Sequence, residues 1–388
     1  MNRTVIGSGV AIAVVAIAAA CGAPQAGPVT NEPPAASAIA PATSSVTASS
    51  STTPVGSAMS PDNSDAGAAS PARLTSQSVP LPGVEGAASL DFITYERANA
   101  RIWVPVGTTG SVDVFDTAHG SFTRVDGFAT AEKEMHGKKR TMGPSAAAIG
   151  EGVVYVGNRG SSEICPVDTK TLKPGPCIKL SSPPDCVAYV ASAREVWVTT
   201  PKDQTLTILD ASKPASLKAK TVVKTDGAPE GYALDEGHGL FFTNLEDKGG
   251  TLAIDVKTRK VKATWNAGCG ADGPRGVAFD AAHDFVVVAC TDHLQVLDAG
   301  HDGAPLGKLD TGAGVDNLDV VDGTAYVAAG KAARLTTAKI DDKGQLAIVA
   351  TGETPEGARN AVADDRGNVY VADSQTARLF VFAPPPAR

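Results

Sequence analysis

The sequence predicts an all-β fold, a seven-bladed β-propeller of four-stranded blades whose ring is closed by a strand from the N-terminal side. Three observations carry this expectation. One strand signal recurs seven times, the copies stand a blade length apart, and the last copy is one strand short.

The last copy shows the pattern most plainly. Within Thr354–Phe382 the runs Asn360–Ala363, Val369–Ala372 and Leu379–Phe382 are three short strand signals in a row. The turn residues 364–368 and a loop at 373–377 separate them. The middle signal reappears as RIWVPV, VVYVGN, EVWVTT, LFFTN, VVVAC, TAYVAA and NVYVAD. Aligned on Trp103, Tyr155, Trp197, Phe241, Val287, Tyr326 and Tyr370, the steps are 52, 42, 44, 46, 39 and 44 residues. The long first step points to an insertion near Thr130–Met142. Third strands end in Asp116, Asp168, Asp210, Asp255, Asp298 and Asp341. An aspartate at the end of a strand caps the following turn, so these six are read as turn formers and not as catalytic acids.

After its third strand the last copy runs into Ala-Pro-Pro-Pro-Ala-Arg. An open ring would leave a bare strand edge in water. LTSQSVPLPG (Leu74–Gly83) precedes the first blade and is the candidate to complete the last one. The domain organisation that follows is a leader at 1–20, a tether at 21–71, a propeller at 72–383 and a tail at 384–388.

The leader has a short basic start, Met1-Asn2-Arg3, an apolar run Val5–Ala19 and small residues before Cys21. That run is too short to span a bilayer and reads as an export signal. Ile17–Cys21, IAAAC, resembles a bacterial lipobox, which implies acylation of Cys21 and a bilayer partner; an ordinary cleaved signal is the alternative. Two or three acyl chains hold a protein firmly on a membrane. Residues 22–71 are almost wholly Ala, Pro, Ser, Thr, Gly and Val, a composition that cannot offset its ordering entropy. As a flexible tether, about fifty residues place the propeller on the order of 40 Å from the anchor. The expected location is the bacterial cell envelope, at the outer membrane or the cell surface.

The net charge of −8 gives no basic footprint for nucleic acid. No Ser/His/Asp order, G-x-S-x-G, phosphate loop or H-E-x-x-H appears. An exported compartment permits disulfides. Cys165 and Cys177 flank the turn TKTLKPG symmetrically, and Cys269 and Cys290 bracket the start of one inner strand and the end of the next strand. Both pairs are expected to bridge, leaving Cys186 free. No cysteine or histidine spacing suits structural zinc.

The strings VYVADSQTARLFVF, APEGYALDEG and GPRGVAFD resemble the YncE-like (YVTN-repeat) family of bacterial seven-bladed propellers over about residues 72–383. The resemblance implies the fold; related propellers do many different jobs.

In a propeller the inner strands line the channel. Aligning their starts, AASL, GPSA, PPDC, APEG, GPRG, GVDN and GARN, places Ser89, Ser145, Asp185, Glu230, Arg275, Asp316 and Arg359 at its mouth, with Cys186, Asn317 and Asn360 next. Loops between second and third strands add Asn158, Arg159, Lys202, Asp203, Asn244, Glu246, Asp247, Asp292, His293, Lys331 and Asp373 to that face. The insertion adds Glu132, Glu134, His136, Lys138, Lys139 and Arg140.

Three readings follow. Asp185, Glu230 and Asp316 neutralise Arg275 and Arg359 as a plug of ion pairs. Alternatively, Asp185, Glu230, Arg275, Asp316, Asn317, Arg359 and Asn360 bind a protein, peptide, glycan or small polar ligand, since convergent polar groups in a concavity mark a binding site. The third reading is enzymatic. Glu230, Asp316, Asn317, Asn360 and Asn244 resemble the calcium set of gluconolactonase- and paraoxonase-type lactonases, which implies Ca2+ polarising a lactone carbonyl. Arg275 and Arg359 beside the ion and the lack of a histidine dyad count against it. The expectation is a monomeric, membrane-anchored binding or scaffold module, without cofactor and a binder in preference to an enzyme.

Overall fold

A computed structural model of the chain describes residues 70–135 and 137–384 of the 388. The leader, Cys21, nearly all of the tether, His136 and the last four residues lie outside the described residues.

Seven blades, each with four antiparallel strands, make the ring, and in blades 1 to 6 these four run outward in chain order. The inner strands are Thr94–Glu96, Pro144–Ile149, Val187–Val190, Pro229–Asp235, Pro274–Asp280, Val315–Val321 and Asn360–Ala363, for blades 1 to 7. The second strands are buried on both faces, because each blade packs between two others. Of the seven aligned anchors, Trp103, Tyr155, Trp197, Phe241 and Val287 are fully buried, Tyr370 nearly so, and Tyr326 is 8% exposed. Where bulky rings face each other between blades they meet closely: Trp197 and Phe241 have centroids 4.8 Å apart. Such pairs add to the apolar area they bury.

The strand-end aspartates behave as turn formers. The Oδ1 of Asp116, Asp168, Asp210, Asp255, Asp298 and Asp341 accepts backbone N–H groups two to four residues on, at 2.6–3.1 Å.

The ring closes as expected, with one refinement. Ser76–Pro80 pairs antiparallel with Arg378–Phe382 and completes blade 7. The strand is shorter than Leu74–Gly83 because Pro80 and Pro82 lack donors; between them Leu81 donates its N–H to Ala377. Upstream, Ala72–Leu74 crosses to blade 6 and runs parallel to Leu346–Glu353 as a fifth strand. Leu74 and Phe382 then share one buried cluster, so this segment ties two blades together.

Both disulfides form, Cys165–Cys177 within blade 2 and Cys269–Cys290 at the start of blade 5, and Cys186 is free and buried. The insertion after blade 1 is a hairpin, Ala131–Met135 with Lys138–Met142, in which Glu134 stands opposite Lys139. Its base is held by the Lys133 ammonium on the Arg159 carbonyl at 2.6 Å and by the Asn158 amide on the Ala129 carbonyl at 2.9 Å.

Candidate functional site at the channel mouth

The inner strands do not enter the channel as regular strands. In blades 4, 5 and 6 one extra residue is accommodated within Glu230–Ala233, Pro274–Val277 and Val315–Leu318. Such bulges re-aim side chains next to functional sites. Here they bring Glu230, Arg275 and Asp316 to one level of the ring. Close packing requires glycine beside them. A Cβ on Gly276 would stand 2.5 Å from Asn317 Oδ1, and one on Gly231, whose φ is +66°, would stand 2.9 Å from the Gly276 Cα.

The charges at the mouth pair differently from the sequence expectation. Arg159, from the loop after the second strand of blade 2, bridges the segments that lead into the inner strands of blades 1 and 3. Its Nη1 lies 2.5 Å from Asp91 Oδ2, and its other terminal nitrogen donates to Asp185. Arg359 Nε lies 3.4 Å from Asp316 Oδ2, with Nη2 3.8 Å from Asp91. Arg275 pairs with Glu246. Among the described residues, the Glu230 carboxylate has no ion pair or hydrogen bond. Burial, then the Asp316 and Asp91 carboxylates, push its pKa up to about 7 against the opposing pull of Arg159 and Arg275. Burial also raises Asp316, with Arg359 opposing.

Asp91 takes the position assigned to Ser89, which instead donates its backbone N–H to Thr108 Oγ1. The signal was present in the sequence. Aligning Tyr95 with Tyr189, as in LDFITYE against PDCVAYV, puts Asp91 on Asp185. Ser145 is buried, and its backbone carbonyl accepts the Phe92 N–H at 3.0 Å.

One layer deeper, Asn317 Nδ2 donates to Asn360 Oδ1 at 3.0 Å, and Asn360 Nδ2 donates to the Asp91 carbonyl at 2.6 Å. Asn244 is fully buried and staples blade 4 to blade 5 through the carbonyls of Arg275 and Gly276 at 2.6 and 3.0 Å. Asn158 and Asp373 are likewise fully buried in turn hydrogen bonds. His293 is buried against Asp292 and the Gly268 carbonyl. Cys186 lies beside Asp185, and burial raises its thiol well above the ordinary range, so it offers no ready thiolate.

A cavity of about 590 Å3 opens beside this network over blades 5 to 7. Arg275, Lys331 and Arg359 line it with Asp272, Asp316 and Glu356. As a calcium cradle, the ring keeps the carboxylates of Glu230 and Asp316, while the amide oxygens of Asn360 and Asn244 already accept from Asn317 and Thr251. The arrangement suits recognition of a ligand carrying both signs of charge.

No protein-family profile and no curated protein matches the chain. Its fold is similar to many solved structures. A chain of the hydrazine synthase of Kuenenia stuttgartiensis aligns with a TM-score of 0.64 at 13% identity, over 79% of this chain and 99% of that one. Virginiamycin B lyase from Staphylococcus aureus aligns at 0.62 and 10%, over 81% and 100%. The β-propeller domain of Myceliophteria thermophila Cps50 (Swd1) gives the same values. At these identities the likeness shows the fold alone, and that fold is a seven-bladed β-propeller.

Proposed function

We propose that the protein is an exported, lipid-anchored propeller that binds a charged ligand at the channel mouth, a YncE-like binding module and not an enzyme. The observation that carries this reading is the cavity of about 590 Å3 lined by three cations and several carboxylates, next to an unpaired glutamate. Burying charge is costly, and a plug built only to close the ring would neutralise every member. Export is supported by the leader sequence and by two disulfides, which persist in oxidising compartments.

The direct test is a peptide array probed with wild type, Lys331→Glu and Glu356→Lys. Lys331 and Glu356 are exposed, so neither reversal disturbs the core. Each is expected to exchange acidic for basic preferences at one ligand position; identical preferences in all three proteins would refute mouth binding. Lipid anchoring predicts that the mature chain partitions into detergent and that Cys21→Ser does not.

The calcium-dependent lactonase reading rests on the unpaired Glu230 carboxylate near Asp316. It predicts that Ca2+ raises the melting temperature of wild type but not of Asp316→Asn. A lack of Ca2+ response in wild type removes it.

A further inference from the structure

Beside the asparagine layer lies a second cavity of about 270 Å3, lined by residues of the inner strands of blades 1, 4, 5, 6 and 7. Its walls combine the rings of Phe92, Tyr232 and Phe279 and the aliphatic side chains of Val320 and Val362 with polar surface in similar measure. No lysine or arginine lines it. Its one charged group is Asp319, half-buried, with no cation within ion-pair distance among the described residues. Asp319 Oδ2 accepts the Ala363 N–H at 2.9 Å, which fixes the carboxylate in place. Alongside, the amides of Asn317 and Asn360 donate to Asn360 Oδ1 and to the Asp91 carbonyl.

From this chamber we infer a second binding site, distinct from the mouth, for a small organic amine with an aromatic or short alkyl body. The apolar part of the walls takes the body, aromatic faces favour a cation, and Asp319 takes the ammonium. An anionic ligand finds no lysine or arginine there. The size fits. An apolar cavity of roughly 150 Å3 holds benzene, so this chamber has room for a ring and a two-carbon amino arm. Burial raises the Asp319 pKa in the empty chamber, and an incoming ammonium would draw it back down.

The test is calorimetric titration with phenethylamine and with phenylacetate, which has a similar body and the opposite charge. Phenethylamine should bind saturably at one site per chain, and phenylacetate should not. Asp319→Asn keeps an oxygen for the Ala363 N–H and should weaken phenethylamine at least about tenfold. Val362→Trp fills the chamber without touching its charge and should abolish binding. Lys331→Glu, at the mouth, should leave it unchanged, so the two sites can fail separately. Equal binding of amine and acid, full affinity in Asp319→Asn, or no saturable binding to folded wild type at millimolar amine would each overturn the inference.

Discussion

Glu230→Gln should make the protein more stable at alkaline pH and leave it unchanged at acid pH. In the unfolded chain the carboxyl titrates near its ordinary 4.5, and in the folded chain near 7. Between those values the folded protein holds the extra proton, so stability falls as pH rises through the window. Each pH unit across that window is worth about 1.36 kcal/mol, so the whole window removes roughly 3 kcal/mol of stability by about pH 8. Glutamine fills the same space and cannot ionise. Urea unfolding of both proteins at about pH 4, below the window, and at about pH 8, above it, measures the difference. At the acid pH the curves should nearly coincide; at the alkaline pH the variant should gain roughly 3 kcal/mol with an unchanged slope. Asp316, also raised by burial, gives both proteins a slope of the same sign. An equal gain at both pH values, or none at either, would refute the assignment of Glu230 as the uncompensated charge.

Other perturbations follow from the same geometry. Arg159→Met strands Asp91 and Asp185, both buried, and should cost roughly 3–5 kcal/mol in urea unfolding. Removing residues 70–81 exposes the Arg378–Phe382 edge and deletes buried Leu74 and Leu81, worth about 1.5–3 kcal/mol each. The melting temperature should fall sharply, whereas a truncation confined to 22–66 should not change it. Gly276→Ala drives a methyl against Asn317 and should cost about 1–3 kcal/mol while loosening the Asn317–Asn360 bond. A thiol reagent should label no cysteine of the folded propeller and one per chain, Cys186, after denaturation without reductant.

The fold was legible because its repeat is a packing requirement. Each second strand must bury both faces, and the aromatic or β-branched residues that do so recur at the blade period. The seam was legible for a similar reason, since a bare edge needs a partner and one unassigned strand remained. Strand exchange into blade 6 by Ala72–Leu74 was not, because three residues carry no period. The site was legible as a level of the ring but not as a set of pairs. Glu230, Arg275, Asp316 and Arg359 follow from alignment of the blade starts, yet which acid meets which arginine depends on bulges and on Arg159, a loop residue whose reach no spacing encodes. Asp91 escapes that alignment because the blade 1 start matches the others on its small residues two positions early, and only Tyr95 restores the register.

The observed pairing bears on why the mouth is charged at all. A ring of inner strands could be closed by apolar side chains at no electrostatic cost, and buried ion networks are often less stable than their hydrophobic replacements. Had the charges served closure alone, Arg275 would have satisfied Glu230, its neighbour at the same level. Instead Arg275 pairs with Glu246, and Glu230 keeps a costly carboxyl whose pKa is pushed up to about 7. A cationic group of a ligand arriving at the mouth would relieve that cost, and the relief adds directly to its affinity. Binding of such a ligand should therefore move the Glu230 titration downward and release a proton near neutral pH. Calorimetry in buffers of different ionisation enthalpy would detect that proton, and its absence in Glu230→Gln would tie it to this residue.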